Sequence, residues 1–380
     1  MRVPARALSA LLLGALAGCV TPALAQPRAA ASAPAVVLLR GAPDAARTSV
    51  VLERPGAQGP ATVLGSFPHL PSSARHAALL RGPSAAQPVV LAVAAESESP
   101  RGGSYHSALF RIDPATAATT RLCGELADSS RPLVTARGTV LVQRGHDGED
   151  PSPELTHRRL MERSDALRLD AVDPATGSLR PVWSGRGQLA YLAAALRDDE
   201  VLVYLLQDSG SSLLRLDART GDVALVHPDL SLARDFSYDA ARDEVVFARA
   251  LSPTVYEVAS LRAHDPSPAA ITPRWRSSSD HLMPRVLRDG TIGLSLPADH
   301  GLGWLPRGAS VQSTPAVFAP RGDGSDALLS ESDDGRWIAL RHTTDRDESV
   351  VVAQRRGGLA HPIASTGEVI EFVGFAGGAR

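Results

Sequence analysis

Ser332-Asp333-Asp334-Gly335-Arg336-Trp337-Ile338-Ala339-Leu340 is the stretch from which the rest of the chain can be read. Its first half is a turn: Asp334 offers a carboxylate to backbone amides ahead of it, and Gly335 tolerates a positive φ. Its second half, Trp337 to Leu340, is a short apolar strand. The same wording recurs upstream as Arg137-Gly138-Thr139-Val140-Leu141-Val142, Asp198-Asp199-Glu200-Val201-Leu202-Val203, Arg242-Asp243-Glu244-Val245-Val246-Phe247 and Asp289-Gly290-Thr291-Ile292-Gly293-Leu294. The last three steps are each about 45 residues and the first about 61. A four-stranded antiparallel unit needs about that length, so the spacing points to radial repetition around an axis.

A second element recurs out of phase with the first. Leu109 to Thr116, Asp173 to Gly177 and Leu214 to Gly221 each carry an Asp-x-x-Thr turn, preceded in the first and last by a strand. No long helical periodicity interrupts these runs of Val, Leu, Ile and Tyr, which predicts an all-β chain. Counting units places blade 2 at 75–123, blade 3 at 131–183, blade 4 at 188–227, blade 5 at 232–275, blade 6 at 281–319 and blade 7 at 326–364. Residues 36–67 then supply three strands without an inner one, while Glu368 to Phe375 is a strand without a blade. Joining the two predicts a seven-bladed β-propeller of four-stranded antiparallel blades, closed by N- and C-terminal strands that share one blade. Closure has a physical reason, because an open ring exposes two unpaired sheet edges. Six blades are the alternative if 75–95 is irregular.

The stretch Ser332 to Ala339 resembles the hallmark of WD40-like, TolB-type propeller repeats, with Asp333 where that pattern favours Pro. Elsewhere the motif shrinks to fragments such as Arg288-Asp289-Gly290. The resemblance implies the fold over most of 36–375 and little about activity, since propellers serve many unrelated functions.

The N-terminus reads as an export signal. Arg2 and Arg6 precede an apolar run, Ala7 to Ala17, that is too short to span a hydrocarbon core of about 30 Å as a helix. It ends in Leu16-Ala17-Gly18-Cys19, which resembles the bacterial lipobox. That resemblance implies cleavage of a 1–18 signal peptide and lipidation of Cys19, with an Ala/Pro-rich tether at 19–35, the propeller at 36–375 and a tail at 376–380. Val20 stands where aspartate would favour the inner membrane in the resembling proteins, so the expected location is the outer membrane, facing the periplasm or the cell surface. Ala23-Leu24-Ala25 offers a competing cleavage site that would leave a soluble periplasmic or secreted protein.

Arg plus Lys (39) nearly balances Asp plus Glu (41), and every basic residue is arginine. This balance and the scarcity of aromatics (4%) argue against a nucleic-acid partner. Of two cysteines, Cys19 is assigned to lipid and Cys123 to a buried strand position, so no internal disulfide is expected. There is no Gly-x-Ser-x-Gly elbow, no dinucleotide fingerprint and no appended α/β domain, so no catalytic residue, metal or cofactor is assigned.

The loops joining the outer strand of one blade to the inner strand of the next, and the second strand to the third, share one face around the channel mouth. The count places His106, His146, Asp208, His227, His300 and His342 there, with Asp128, Arg186, Asp229, Asp280 and His281 nearby. These are the candidate ligand-binding residues for a protein, peptide or glycan partner. An envelope hydrolase or lyase using loop-face histidines and aspartates is the alternative. The insertion Gly145 to Asp165 begins as an acidic loop, too short for an EF-hand, and reads as a lid or partner-contact element.

Overall fold

Val36, Val37, Leu38 and Leu39 show how each blade is held. Successive side chains of a strand point to opposite faces, so Val36 and Leu38 pack with Trp337, Val350 and Val352, while Val37 and Leu39 pack with Val90, Ala92 and Ala108. A strand buried on both faces must be apolar throughout, which explains the continuous apolar runs read from the sequence.

The computed structural model describes residues 32–377 except 58, 81–87, 99–104, 128–129, 145–164, 208, 297–300, 319–323 and 364–366. The signal peptide, Cys19, the tether as far as residue 31 and most of the Gly145 to Asp165 insertion therefore lie outside the described residues. The described strands form seven four-stranded sheets. Every pairing between neighbouring strands is antiparallel. From the axis outward, blade 1 runs Val369–Phe375, Val36–Gly41, Arg47–Glu53 and Thr62–Pro68. The inner strands of blades 2 to 7 are Arg75–Leu80, Leu133–Val134, Leu189–Ala195, Ala233–Asp239, Arg285–Val286 and Ser325–Glu331.

The ring closes as the leftover strands require. Val36 pairs with Phe375 and Gly41 with Val369, and the Ala376 amide donates to the Ala35 carbonyl at 2.8 Å. Seven apolar clusters fill the seven spaces between neighbouring blades. Leu141 and Leu167 meet Val201 and Val203, for example, and Tyr204 meets Phe236 and Phe247. Cys123 is buried among Leu91, Val93 and Val142 and is a free thiol.

The recurrent turns behave as their residues dictate. Asp113, Asp173 and Asp217 each accept a hydrogen bond from the amide two residues on, at 3.0, 2.8 and 2.8 Å. The fifth residue of the turn takes positive φ in all three: Gly177 at 77°, Gly221 at 83° and Ala117 at 54°. A Cβ is strained in that region. Ala117→Gly is therefore expected to stabilise the protein by about 0.5–1 kcal/mol, read as a raised urea midpoint. A lowered midpoint would show that the strain is relieved locally.

Two carboxylates among the described residues are wholly buried within blades. Glu257 accepts from Arg249 Nε and Nη2 at 3.1 and 2.7 Å and from Arg276 Nε at 2.9 Å, and is 0% exposed. Asp170 accepts from Arg168 Nε at 2.7 Å and is also 0% exposed. Each sits on the third strand of its blade and takes an arginine from a neighbouring strand or its own. Burial of an ion at this depth is tolerated only with such pairing.

Candidate functional site

On the face of the tight turns, between first and second and between third and fourth strands, charged groups are spent on one another across blades. His264 of blade 5 places Nε2 2.7 Å from Glu200 of blade 4 and Nδ1 2.5 Å from Asp243. Arg137 of blade 3 pairs with Asp198 of blade 4 at 2.7 Å, and Arg288 of blade 6 with Asp333 of blade 7 at 2.7 Å. A cleft of about 550 Å³ on this face is lined by Arg137, Asp198, Glu200 and His264. These side chains are already partnered, which reads as a belt holding blades together.

The axial channel differs. Glu371, Tyr191 and Asp235 each occupy the third position of a seven-residue inner strand, in blades 1, 4 and 5. His76 lies on the inner strand of blade 2, and Arg131 just before that of blade 3. The charge of Arg131 acts on His76, Tyr191, Arg285 and Glu371, groups from blades 2, 4, 6 and 1. Only a position close to the axis reaches so many blades. Arg131 itself is exposed, and among the described residues it has no carboxylate within 4 Å.

Crowding around the channel shifts its titratable groups in opposite directions. Burial pushes Glu371 up to about 7, against the pull of Arg131 and Arg75 and with the push of Glu348. Its side chain keeps 37% of its surface accessible. Burial, helped by Arg131, takes His76 down to about 4, with Nδ1 4.0 Å from Glu371. Burial also raises the Tyr191 phenol, with Tyr204 and Asp235 adding to the effect. A raised carboxyl favours the folded state at low pH and loses that contribution as pH rises from 4.5 to about 7. A lowered imidazole works the other way, losing its contribution as pH falls from 6.5 to about 4. The two oppose one another in stability, whereas both leave arginine charge dominant in the channel below neutrality. Perturbed groups gathered in a channel mark a candidate site.

Asp235 adds backbone strain. Its φ is 56°, at a break in register between Arg234 and Ser237. Strain of this kind persists where surrounding structure holds it, commonly at functional sites.

Of the loop-face residues expected from sequence, His146, Asp208 and His300 lie outside the described residues, as does Asp128. His106 sits at the start of the third strand of blade 2, opposite Ser97. His227 ends the outer strand of blade 4, where burial lowers its pKa and its Nδ1 accepts from the Asp229 amide at 3.1 Å. His342, near the end of the second strand of blade 7, places Nδ1 2.8 Å from Asp326, which is 2% exposed. The three described histidines thus belong to blades 2, 4 and 7. Among the described residues, no group of three or more His, Cys, Asp or Glu is placed to hold a metal ion.

The channel residues Arg75, His76, Arg131, Tyr191, Asp235, Arg285 and Glu371 were not anticipated. A signal existed: Arg75-His76, Arg234-Asp235 and Glu371 put charge into inner strands that are otherwise apolar.

No protein-family model matches the chain, and no curated protein matches it. Among solved structures it is similar to TolB from Acinetobacter baumannii, at 10% identity, 88% of this chain, 64% of that one and TM-score 0.46. It is also similar to a puromycin-hydrolysing peptidase from Mycobacterium tuberculosis, at 14% identity, 88% of this chain, 53% of that one and TM-score 0.56. A provisionally assigned 6-phosphogluconolactonase from Bacteroides fragilis matches at 12% identity, 90% of this chain, 98% of that one and TM-score 0.52. The chain spans only 64% and 53% of the first two proteins. At such identities the likenesses to the peptidase and the lactonase show one thing: the chain has the β-propeller fold.

Proposed function

We propose that the protein is a cell-envelope lipoprotein, anchored through Cys19, that serves as a binding or scaffold propeller for a protein, peptide or glycan. The anchor places it at the outer membrane, facing the periplasm or the cell surface. The partner docks on the loop face, where His106, His146, Asp208, His227, His300 and His342 are the candidate contacts. One observation carries this reading. The face of tight turns has charges tied up between blades, whereas His281, in the loop leading into the blade 6 inner strand, presents a side chain 81% exposed beside its chain neighbour Asp280 at 3.5 Å. Exposed polar loops on a rigid scaffold are the usual place for recognition.

The test uses the full-length protein in its native envelope. A photoreactive residue replacing His281 is expected to give a discrete cross-linked partner, and one replacing Arg219 on the opposite face is not. Adducts at 219 and none at 281 would reverse the assignment of faces. Intact mass of the membrane-extracted protein is expected to show an acylated Cys19 as the first residue, and an unmodified chain starting at Gln26 would remove the anchor.

A further inference from the structure

Arg285 holds an unusual place for an arginine. It begins an inner strand only two residues long, Arg285–Val286, and the shortness of that strand leaves room between blades 5, 6 and 7. The room is a cavity of about 560 Å³, bounded by Ser237 to Ala241, Arg285 to Arg288 and Leu328 to Glu331. That volume suits a small organic ligand.

The other charged groups of the cavity are already engaged. Asp239 binds Arg242, Glu331 accepts from Arg355 Nη1 at 2.8 Å, and Arg288 binds Asp333 at 2.7 Å. Arg285 donates from Nη1 to the Phe236 carbonyl at 2.9 Å. Among the described residues, no carboxylate lies within 4 Å of its guanidinium. A guanidinium has five donors in a fixed fork suited to a carboxylate or phosphate, and most of those of Arg285 have no partner among the described residues.

Arg131 compounds the imbalance, because its charge opposes that of Arg285. Converging cations cost free energy that an anion between them would recover. Asp235 acts on Arg285 and Glu371 on Arg131, while Asp239 and Glu331 line the cavity itself, each already paired with an arginine.

We propose that this cavity is a binding site for a small oxyanion ligand bearing a carboxylate or phosphate group, with Arg285 as its principal contact and Arg131 supplying an attracting field. This site is independent of the loop-face partner. Glu371 modulates it: Arg75 and His76 from blade 2, Arg131 from blade 3 and Glu348 from blade 7 all face that carboxyl. When Glu371 ionises it competes with the ligand for the field of Arg131.

The experiment is calorimetric titration of the full-length protein with sulfate, whose charge is constant over the pH range, and with succinate, at constant ionic strength. Saturable binding of at least one probe is expected. Sulfate in preference to succinate assigns a phosphate-like ligand, and the reverse assigns a carboxylate. Arg285→Gln is expected to weaken binding by about tenfold or more, the usual worth of a charged hydrogen bond. Arg131→Gln, on an exposed side chain, is expected to weaken it several-fold and carries the test should Arg285→Gln fail to fold. Sulfate is expected to bind more weakly at pH 8 than at pH 6, and Glu371→Gln to remove most of that difference. Failure of both probes to saturate, or affinities unchanged by Arg285→Gln and Arg131→Gln, overturns the site. Loop-face cross-linking is unaffected by either result, so the two proposals fail separately.

Discussion

A chain that stops at Gly367 is expected to lose cooperative folding. The missing strand Val369–Phe375 pairs with all six residues of Val36–Gly41. Its removal strips the ladder from Val36, Val37, Leu38 and Leu39, which are 0–2% exposed in the intact ring. It also opens the apolar cluster that Ile370 and Phe372 share with Trp337. Each fully exposed aliphatic side chain costs about 1.5–3 kcal/mol, and a whole domain has only about 5–15 kcal/mol in hand. The expected result is a broad, early thermal transition by circular dichroism and association by size-exclusion chromatography, since a bared strand edge templates aggregation. A peptide of residues 368–377 added in trans should recover part of the transition. A truncated chain melting within a few degrees of the intact one would mean that the blade interfaces alone hold the ring.

Glu257→Ala is the point substitution expected to cost most. It leaves Arg249, whose side chain is only 16% exposed, facing a buried space without its carboxylate. Arg276, 52% exposed, can turn to water and suffers less. Breaking a buried pair by removing one partner costs about 3–5 kcal/mol, which would appear as a large drop in urea midpoint. Glu257→Leu combined with Arg249→Met should recover much of the loss, because the desolvation of Arg249 goes with its charge. A cost below about 1 kcal/mol for the single change would show that Arg249 reaches solvent unaided.

The fold was legible because propeller architecture is written locally. A turn residue such as Asp217 or Gly335 acts over two or three positions, and an apolar run such as Val36 to Leu39 states its own burial on both faces. Even closure followed from arithmetic, since three strands at one end and one at the other complete a single sheet. Where sequence and structure differ in detail, the inner strands of blades 3 and 6 are only two residues long. Arg285 and Arg131 carry charge next to those short strands, and no local pattern marks the space a missing ladder leaves.

The channel, despite the charges in its inner strands, was hard to read for a different reason. Arg75, Arg131, Arg285 and Glu371 are far apart along the chain, and each looks alone like an ordinary charged residue beside a strand. Their meaning lies in radial convergence, which periodicity does not encode. Histidines in loops attracted the sequence reading because imidazole is conspicuous, yet His342 is engaged with Asp326 and His227 with its own turn.

Ala35 and Ala376 are joined by a hydrogen bond at the end of blade 1 where Val36 meets Phe375, on the tight-turn side of the disc. Any fluorophore, affinity handle or surface linkage appended at either terminus of the folded ring therefore leaves from the side opposite the candidate docking loops. Immobilised by either end, the disc would present those loops outward, ready for a partner delivered in flow.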